Sequence, residues 1–238
     1  MDFNIQDFIF NPKKYYNLLK IDRTLEGFFL RSLIHQYKHP KNTYPFGTYY
    51  EFGVGEGNSL IQYVKAASAF CKYYNVTLDK LKIITFDSFE GLPKSELDED
   101  NNQLWKEGDF SCSQQEIKKK IKNLNMKNIP DITYIEGFFD KTLTNSLKEK
   151  MIRTPPAIIT IDVDYYSSTK TILNWLRPIL LSGTIFYFDD IWPFHGNPNY
   201  GELKAIREFN EENEGYLTPY PILGMISQSY IYSKKNYE

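Results

Sequence analysis

The sequence predicts an α/β fold, a mostly parallel sheet flanked by helices with antiparallel strands at one edge. Three observations carry that expectation. Apolar strand-like runs alternate with helical patterns along most of the 238 residues, the order that builds a parallel sheet covered on both faces. An early run ends in a turn of closely spaced glycines followed by a helix. Two later runs end in paired aspartates.

Taken in chain order, Thr24 to Tyr37 places Leu25, Phe28, Phe29, Leu33 and Tyr37 at helical spacing and stops ahead of His39-Pro40. Residues 1–45 therefore read as an N-terminal helical extension, and 46–238 as the domain that holds the site. Tyr49 to Leu60, YYEFGVGEGNSL, is a strand end, a glycine turn and a helix start, and the helix continues through Val64, Ala67 and Cys71. Gly53, Gly55 and Gly57 permit a tight turn and close approach of a ligand, and a side chain at Gly53 is expected to occupy that approach. Asn58 or Ser59 can cap the helix. The spacing differs from the dinucleotide fingerprint G-x-G-x-x-G, and Glu51 ahead of the glycines suggests a ligand carrying an ammonium group.

Further strands are expected at Lys82–Phe86, Ile132–Ile135, Ala157–Ile161 and Thr184–Phe188. Ser113 and Glu116 form a capping box for the helix through Ile117 and Ile121. Ser167, Ser168 or Thr169 can open the helix carrying Ile172, Leu176 and Ile179. Glu202 to Phe209 reads as a short helix, Ile222–Ile226 and Tyr230–Tyr232 as a final strand pair, and Glu96 to Asn102 as a mobile loop.

The acids are the chemical signal. Asp162 and Asp164 follow one strand, Asp189 and Asp190 the next, and Asp87 closes the KIITF run. Gathered carboxylates near apolar surroundings repel one another unless a cation neutralises them, and hard oxygen ligands suit Mg²⁺. Single aspartates can instead cap helices or stay solvated. In such sheets ligands bind beyond the carboxyl ends of the strands, where Asp87 could accept hydrogen bonds from ribose hydroxyls. In an extended strand, Asp162 and Asp164 would share a face. His195 is a candidate general base, and Trp192, Phe194, Tyr165 and Tyr166 could stack on a ligand face or simply pack.

Composition narrows the classes. Lys+Arg of 28 against Asp+Glu of 30 gives a formal net charge of −2, no reason to expect nucleic acid; Lys118, Lys119, Lys120 and Lys122 read as a solvated helix face. Two cysteines, Cys71 and Cys112, are too few for a disulfide framework. With no long apolar run and no signal-peptide pattern, a soluble cytoplasmic protein is expected, with homo-oligomerisation open.

Read together, EFGVGEGNS, FDSFEGLP, the W-x-x-G-D-F-S of Trp105 to Ser111, IEGFFDKTL, IDVDYYSST, FDDI and Gly201-Glu202 with Ala205 resemble the macrocin O-methyltransferase family of sugar methyltransferases. The likeness runs in order from Tyr49 to Phe209. It implies a Rossmann-like class I methyltransferase fold, S-adenosylmethionine and Mg²⁺ as cofactors, and methyl transfer to a sugar hydroxyl. By the same resemblance Asp162, Asp189 and Asp190 hold the metal and Asp164 is the general base. The cofactor would be surrounded by Glu51, Phe52, Gly53, Val54, Gly55 and Ser59, by Asp87, Ser88, Phe89, Glu90 and Gly91, and by Ser113, Gly137, Phe138 and Asp162. The N-terminal helices would act as a lid. Glu56 departs from the pattern, standing where the family is often aromatic or small.

Other readings compete. A catechol or other small phenol is an alternative acceptor, since Mg²⁺-assisted transfer to neighbouring hydroxyls uses the same physics. A nicotinamide oxidoreductase would need another glycine spacing, and a non-catalytic metal- or nucleotide-binding module would have no use for a base at Asp164.

Overall fold

The computed structural model describes residues 24–39, 45–95, 100, 104–126, 129–212, 214–220 and 227–236. One seven-stranded sheet organises them, formed by β1 (Thr48–Phe52), β2 (Lys82–Asp87), β3 (Asp131–Glu136), β4 (Ile158–Ile161), β5 (Ile185–Phe188), β6 (Gly215–Pro219) and β7 (Gln228–Lys234), in the order β3-β2-β1-β4-β5-β7-β6. Strands β1 to β5 pair in parallel. β7 lies antiparallel between β5 and β6.

Apolar side chains alternate between the two faces, as the pleat of a doubly covered sheet requires. Tyr50, Phe52, Ile84, Phe86, Ile159, Ile161, Phe186 and Phe188 face one core, with α6 (Tyr166–Leu176) and α7 (Gly201–Glu211) packed on it. The short helices α4 (Phe139–Thr142) and α5 (Asn145–Met151) lie at its margin. Tyr49, Ile83, Ile158, Ile185 and Tyr187 face the other core, against α1 (Leu25–Lys38), α2 (Asn58–Tyr74) and α3 (Gln114–Lys122).

Helix α1 starts where expected: Thr24 Oγ1 accepts the Gly27 N–H at 3.1 Å. It is built into the body of the domain. Phe29 packs edge-on against Tyr49 and Tyr63, and Gln36 Nε2 donates to the Ala157 carbonyl at 2.6 Å. Of the segment expected to act as a lid, residues 1–45, all but 24–39 and 45 lie outside the described residues.

Two expectations about helix caps are corrected, and one strand was not expected. The partner of β7 is Gly215–Pro219, whose outward residues and flanking Gly and Pro disguise it as a turn; the strand expected at residues 222–226 lies outside the described residues, as does the loop 96–102 except Asp100. Helix α6 begins at Tyr166 without a side-chain cap of its own, because Asp100 Oδ1, from a distant segment, accepts the Ser167 N–H at 3.2 Å. Helix α2 likewise has no side-chain cap at Gly57: the Ser59 hydroxyl donates to Glu51 Oε1 instead.

Candidate active site

A cleft of about 1150 Å³ opens over the carboxyl ends of β1, β2 and β4, lined by the glycine turn, the start of α2, Asp87, Gly137-Phe138, and all of Asp162, Asp164, Asp189 and Asp190. Such a volume sits at the large end for ligand pockets and has room for a cofactor beside an acceptor. The strand order leaves β1 toward β2 on one side and β4 on the other, so the cleft lies at the switch in chain direction.

The glycine turn is held from beneath and open above. A Cβ on Gly53 (φ +79) would stand 1.7 Å from the Asp162 carbonyl oxygen. The obstacle there is the backbone of β4, which corrects the expectation that a Gly53 side chain would block the ligand. Gly55 (φ +48) has nothing within 4 Å of its Cβ position and lines the cleft. Asp87 clamps the turn: Oδ2 accepts the Val54 and Gly55 N–H groups at 2.5 and 3.2 Å, and Oδ1 accepts that of Phe89 at 2.6 Å. Most of its accepting capacity is thus committed to backbone.

Opposite, the acids converge. One carboxylate oxygen from each of Asp162, Asp189 and Asp190 lies within 4.8 Å of the other two. Burial first, then neighbouring carboxylates, raises Asp162 well above the usual range and Asp190 to about 6. Asp189 is raised by burial and receives a hydrogen bond from the Tyr187 hydroxyl at 2.9 Å. Asp164 is 8% exposed, shares a hydrogen bond with Asp190, and is pushed up to about 8 by burial and by the Asp190 charge.

Asp164 reaches this place through a tight turn. Its φ is +59, and the Tyr165 N–H bonds back to the Val163 carbonyl at 2.5 Å. Strand β4 ends at Ile161, so the extended geometry that would have put Asp162 and Asp164 on one face does not hold. Left-handed backbone at a non-glycine residue is uncommon and clusters at functional sites.

A family model for "Macrocin-O-methyltransferase (TylF)" matches residues 44–215. The chain belongs to the macrocin O-methyltransferase family. It is an S-adenosylmethionine-dependent O-methyltransferase. The solved structure of the O-methyltransferase NovP is 20% identical over 88% of this chain and 79% of that one, with a TM-score of 0.63. CalS11, a calicheamicin methyltransferase, is 22% identical over 97% and 86%, with a TM-score of 0.62; its apo form, described as a TDP-rhamnose 3'-O-methyltransferase, is 19% identical over 97% and 88%, with a TM-score of 0.52. These likenesses establish the shared fold. No curated protein matches the sequence. No helix among the described residues is long and apolar enough to cross a membrane.

Within this member of the family the expected cofactor residues divide. Gly53, Val54, Gly55, Ser59, Asp87, Ser88, Gly91, Gly137, Phe138 and Asp162 line the cleft; Glu51, Phe52, Phe89, Glu90 and Ser113 stand outside that lining. Phe52 is stacked on Phe86 in the core at 4.4 Å, because alternate residues of a buried strand face opposite layers. Phe89 packs toward Tyr134, Glu90 is exposed, and Ser113 is spent on its capping box. Glu51 lies beneath the turn with 0% exposure; burial raises it to about 8, and Oε2 has no hydrogen-bond partner among the described residues. That places it behind the ligand surface, away from the direct ammonium contact its position suggested.

Of the aromatic candidates, Tyr166 is committed elsewhere, donating to Glu208 Oε2 at 2.8 Å. Tyr165 is 2% exposed. His195 is an exposed loop residue outside the cleft lining. Residues missed at first include Trp105, which lines the cleft and meets Tyr165 and Phe194 edge-on. It stood in a quoted motif, but only the fold turns its ring inward. Glu202 was also missed. It is wholly buried beside the acids, and the Gly201-Glu202 motif gave it no role.

Proposed function

We propose that this enzyme transfers the methyl group of S-adenosylmethionine to a sugar hydroxyl, with Asp162, Asp189 and Asp190 holding Mg²⁺ and Asp164 as the general base. The observation that carries the reading is the meeting, in one cleft, of an open glycine turn and converging carboxylates close enough to share one ion. CalS11, described as acting on TDP-rhamnose, supports a sugar rather than a phenol as acceptor class.

The donor set fits a hard divalent cation: carboxylate oxygens only, close enough to share one ion. When bound, Mg²⁺ would supply Lewis acidity and a template for neighbouring hydroxyls. The sulfonium of the cofactor is already an activated electrophile, so the protein's part is to align the acceptor and remove its proton. Gly55 leaves the turn bare so that the cofactor approaches backbone, and Asp87 keeps the turn's shape. Asp164 accepts the hydroxyl proton, standing in the cleft beside Asp190. Trp105 offers an apolar face on the acceptor side.

Incubating the protein with isotopically labelled S-adenosylmethionine and a panel of nucleotide sugars, glycosides and catechols, with Mg²⁺ or EDTA, tests the reading. Label in a sugar and its loss in EDTA are expected. Transfer to catechols alone, or full transfer in EDTA, would overturn the acceptor or the metal assignment respectively.

A further inference from the structure

Glu202 stands in the first turn of α7 with 0% exposure. Its Oε2 accepts the Asp190 N–H at 3.0 Å. Its Oε1 is buried and has no hydrogen-bond partner among the described residues. The charges that act on it are those of Asp190, Asp162 and Asp189, all of its own sign. A buried carboxylate is ordinarily paired with a cation or fully hydrogen-bonded. This one has neither, and its charged neighbours are the residues assigned to the metal. Packing alone does not explain the position, because an apolar residue or a neutral amide would avoid the cost of an unsatisfied oxygen. The turn that seats it is also specialised: Gly201 is left-handed (φ +55), and a Cβ there would meet the Phe194 ring at 2.8 Å.

We propose that Glu202 is a positioning residue of the metal site, with Oε2 holding the main chain of Asp190 in place and Oε1 accepting a hydrogen from a water carried by the cation. The inference rests on the metal reading above. Mg²⁺ gives up its waters reluctantly and keeps several when bound by few carboxylates, so an acceptor behind the ligands has a partner only when the ion is present. Partners of this outer kind change metal affinity about 10–100-fold. Glu202 thereby also ties α7 to the loop after β5, so that the ion and the aromatic segment between Trp192 and Tyr200 are set by one side chain.

The test is Mn²⁺ binding to the full chain, followed by electron paramagnetic resonance without acceptor, in the wild type, Glu202→Gln and Glu202→Asp. Glu202→Gln can still accept the Asp190 N–H but loses the charge and puts a donor in place of the free oxygen. It should bind Mn²⁺ about ten- to a hundredfold more weakly, with S-adenosylmethionine affinity unchanged and melting temperature no lower than wild type. A purely structural role would instead move the melting temperature and leave Mn²⁺ affinity alone. Unchanged Mn²⁺ affinity in Glu202→Gln, where the wild type binds, overturns the proposal for Glu202 but leaves the metal reading standing. No Mn²⁺ binding by the wild type overturns both. Should Glu202→Gln not fold, Glu202→Asp decides: it keeps the charge but withdraws it by one methylene, so weakened Mn²⁺ binding with normal cofactor binding supports the proposal, and wild-type Mn²⁺ affinity overturns it.

Discussion

Gly53→Ala and Gly55→Ala add the same methyl group two residues apart and should fail in different ways. At Gly53 the new Cβ would stand 1.7 Å from the Asp162 carbonyl oxygen and 2.8 Å from its carbon. Neither strand can easily give way: the Gly53 N–H donates to the Phe86 carbonyl and the Asp162 N–H to the Phe52 carbonyl, both at 3.0 Å. A left-handed backbone costs an L-residue about 1–2 kcal/mol, and forced overpacking about 1–3 more, a total of about 2–5 kcal/mol. For a domain of this size that lowers the melting temperature by roughly 10 °C, and the displaced Asp162 should weaken Mg²⁺ binding as well. At Gly55 (φ +48) the methyl meets nothing within 4 Å. It should cost about 1 kcal/mol or less, because the lost freedom of the unfolded chain offsets part of the backbone strain. Its methyl points into the cleft, so S-adenosylmethionine affinity should fall about tenfold or more, equivalent to roughly 1.4 kcal/mol. Chemical denaturation of the unliganded protein and titration calorimetry with the cofactor read the two effects separately. Wild-type stability in Gly53→Ala would refute the close crossing of β1 and β4. Wild-type cofactor affinity in Gly55→Ala would move the cofactor away from the turn.

Three further outcomes are expected. Burial pushes the Glu51 carboxyl up to about 8 from its ordinary 4.5, so the folded state holds the proton more tightly; the stability this gives is complete below about pH 4.5 and is lost as pH rises through 8. Unliganded Glu51→Gln should therefore outlast the wild type at pH 8 by up to a few kcal/mol and match it near pH 4.5, as denaturant melts at both pH values will show; a constant difference would dismiss the buried acid as the cause. Asp189→Asn should raise unliganded stability by relieving carboxylate repulsion while weakening Mg²⁺ affinity about tenfold or more; calorimetry showing full Mg²⁺ affinity would remove Asp189 from the ligand set. Asp164→Asn should lower kcat roughly a hundredfold or more with cofactor and Mg²⁺ binding retained, and partly recover at high pH. Near-normal turnover there, combined with loss in His195→Ala, would transfer the base to His195.

Much of this protein could be read along one dimension because its signals are local. Alternating strands and helices, the glycine turn before Asn58, the capping box at Ser113 and the aspartates closing β2, β4 and β5 are all set by neighbours within a few residues, where periodicity and backbone preference act. The motifs from Glu51 to Ala205 were enough to suggest the family. What a side chain does at the end of its strand is set by segments far away in sequence, and there only the tertiary structure decided. Asp87 turned to the Val54 and Gly55 N–H groups because β2 lies beside β1. Glu51 was buried because its strand position faces α2, where Ser59 met it. Gly53 proved necessary because of β4 rather than a ligand. Asp164 reached Asp190 through a left-handed turn that no alternation pattern encodes, and Glu202, part of a motif but given no role there, became a wholly buried neighbour of the acids when α7 packed against the loop after β5. The sequence by itself determined which groups are available. Their charge states and contacts depend on burial and on distances between strands, quantities that exist only once the chain has folded.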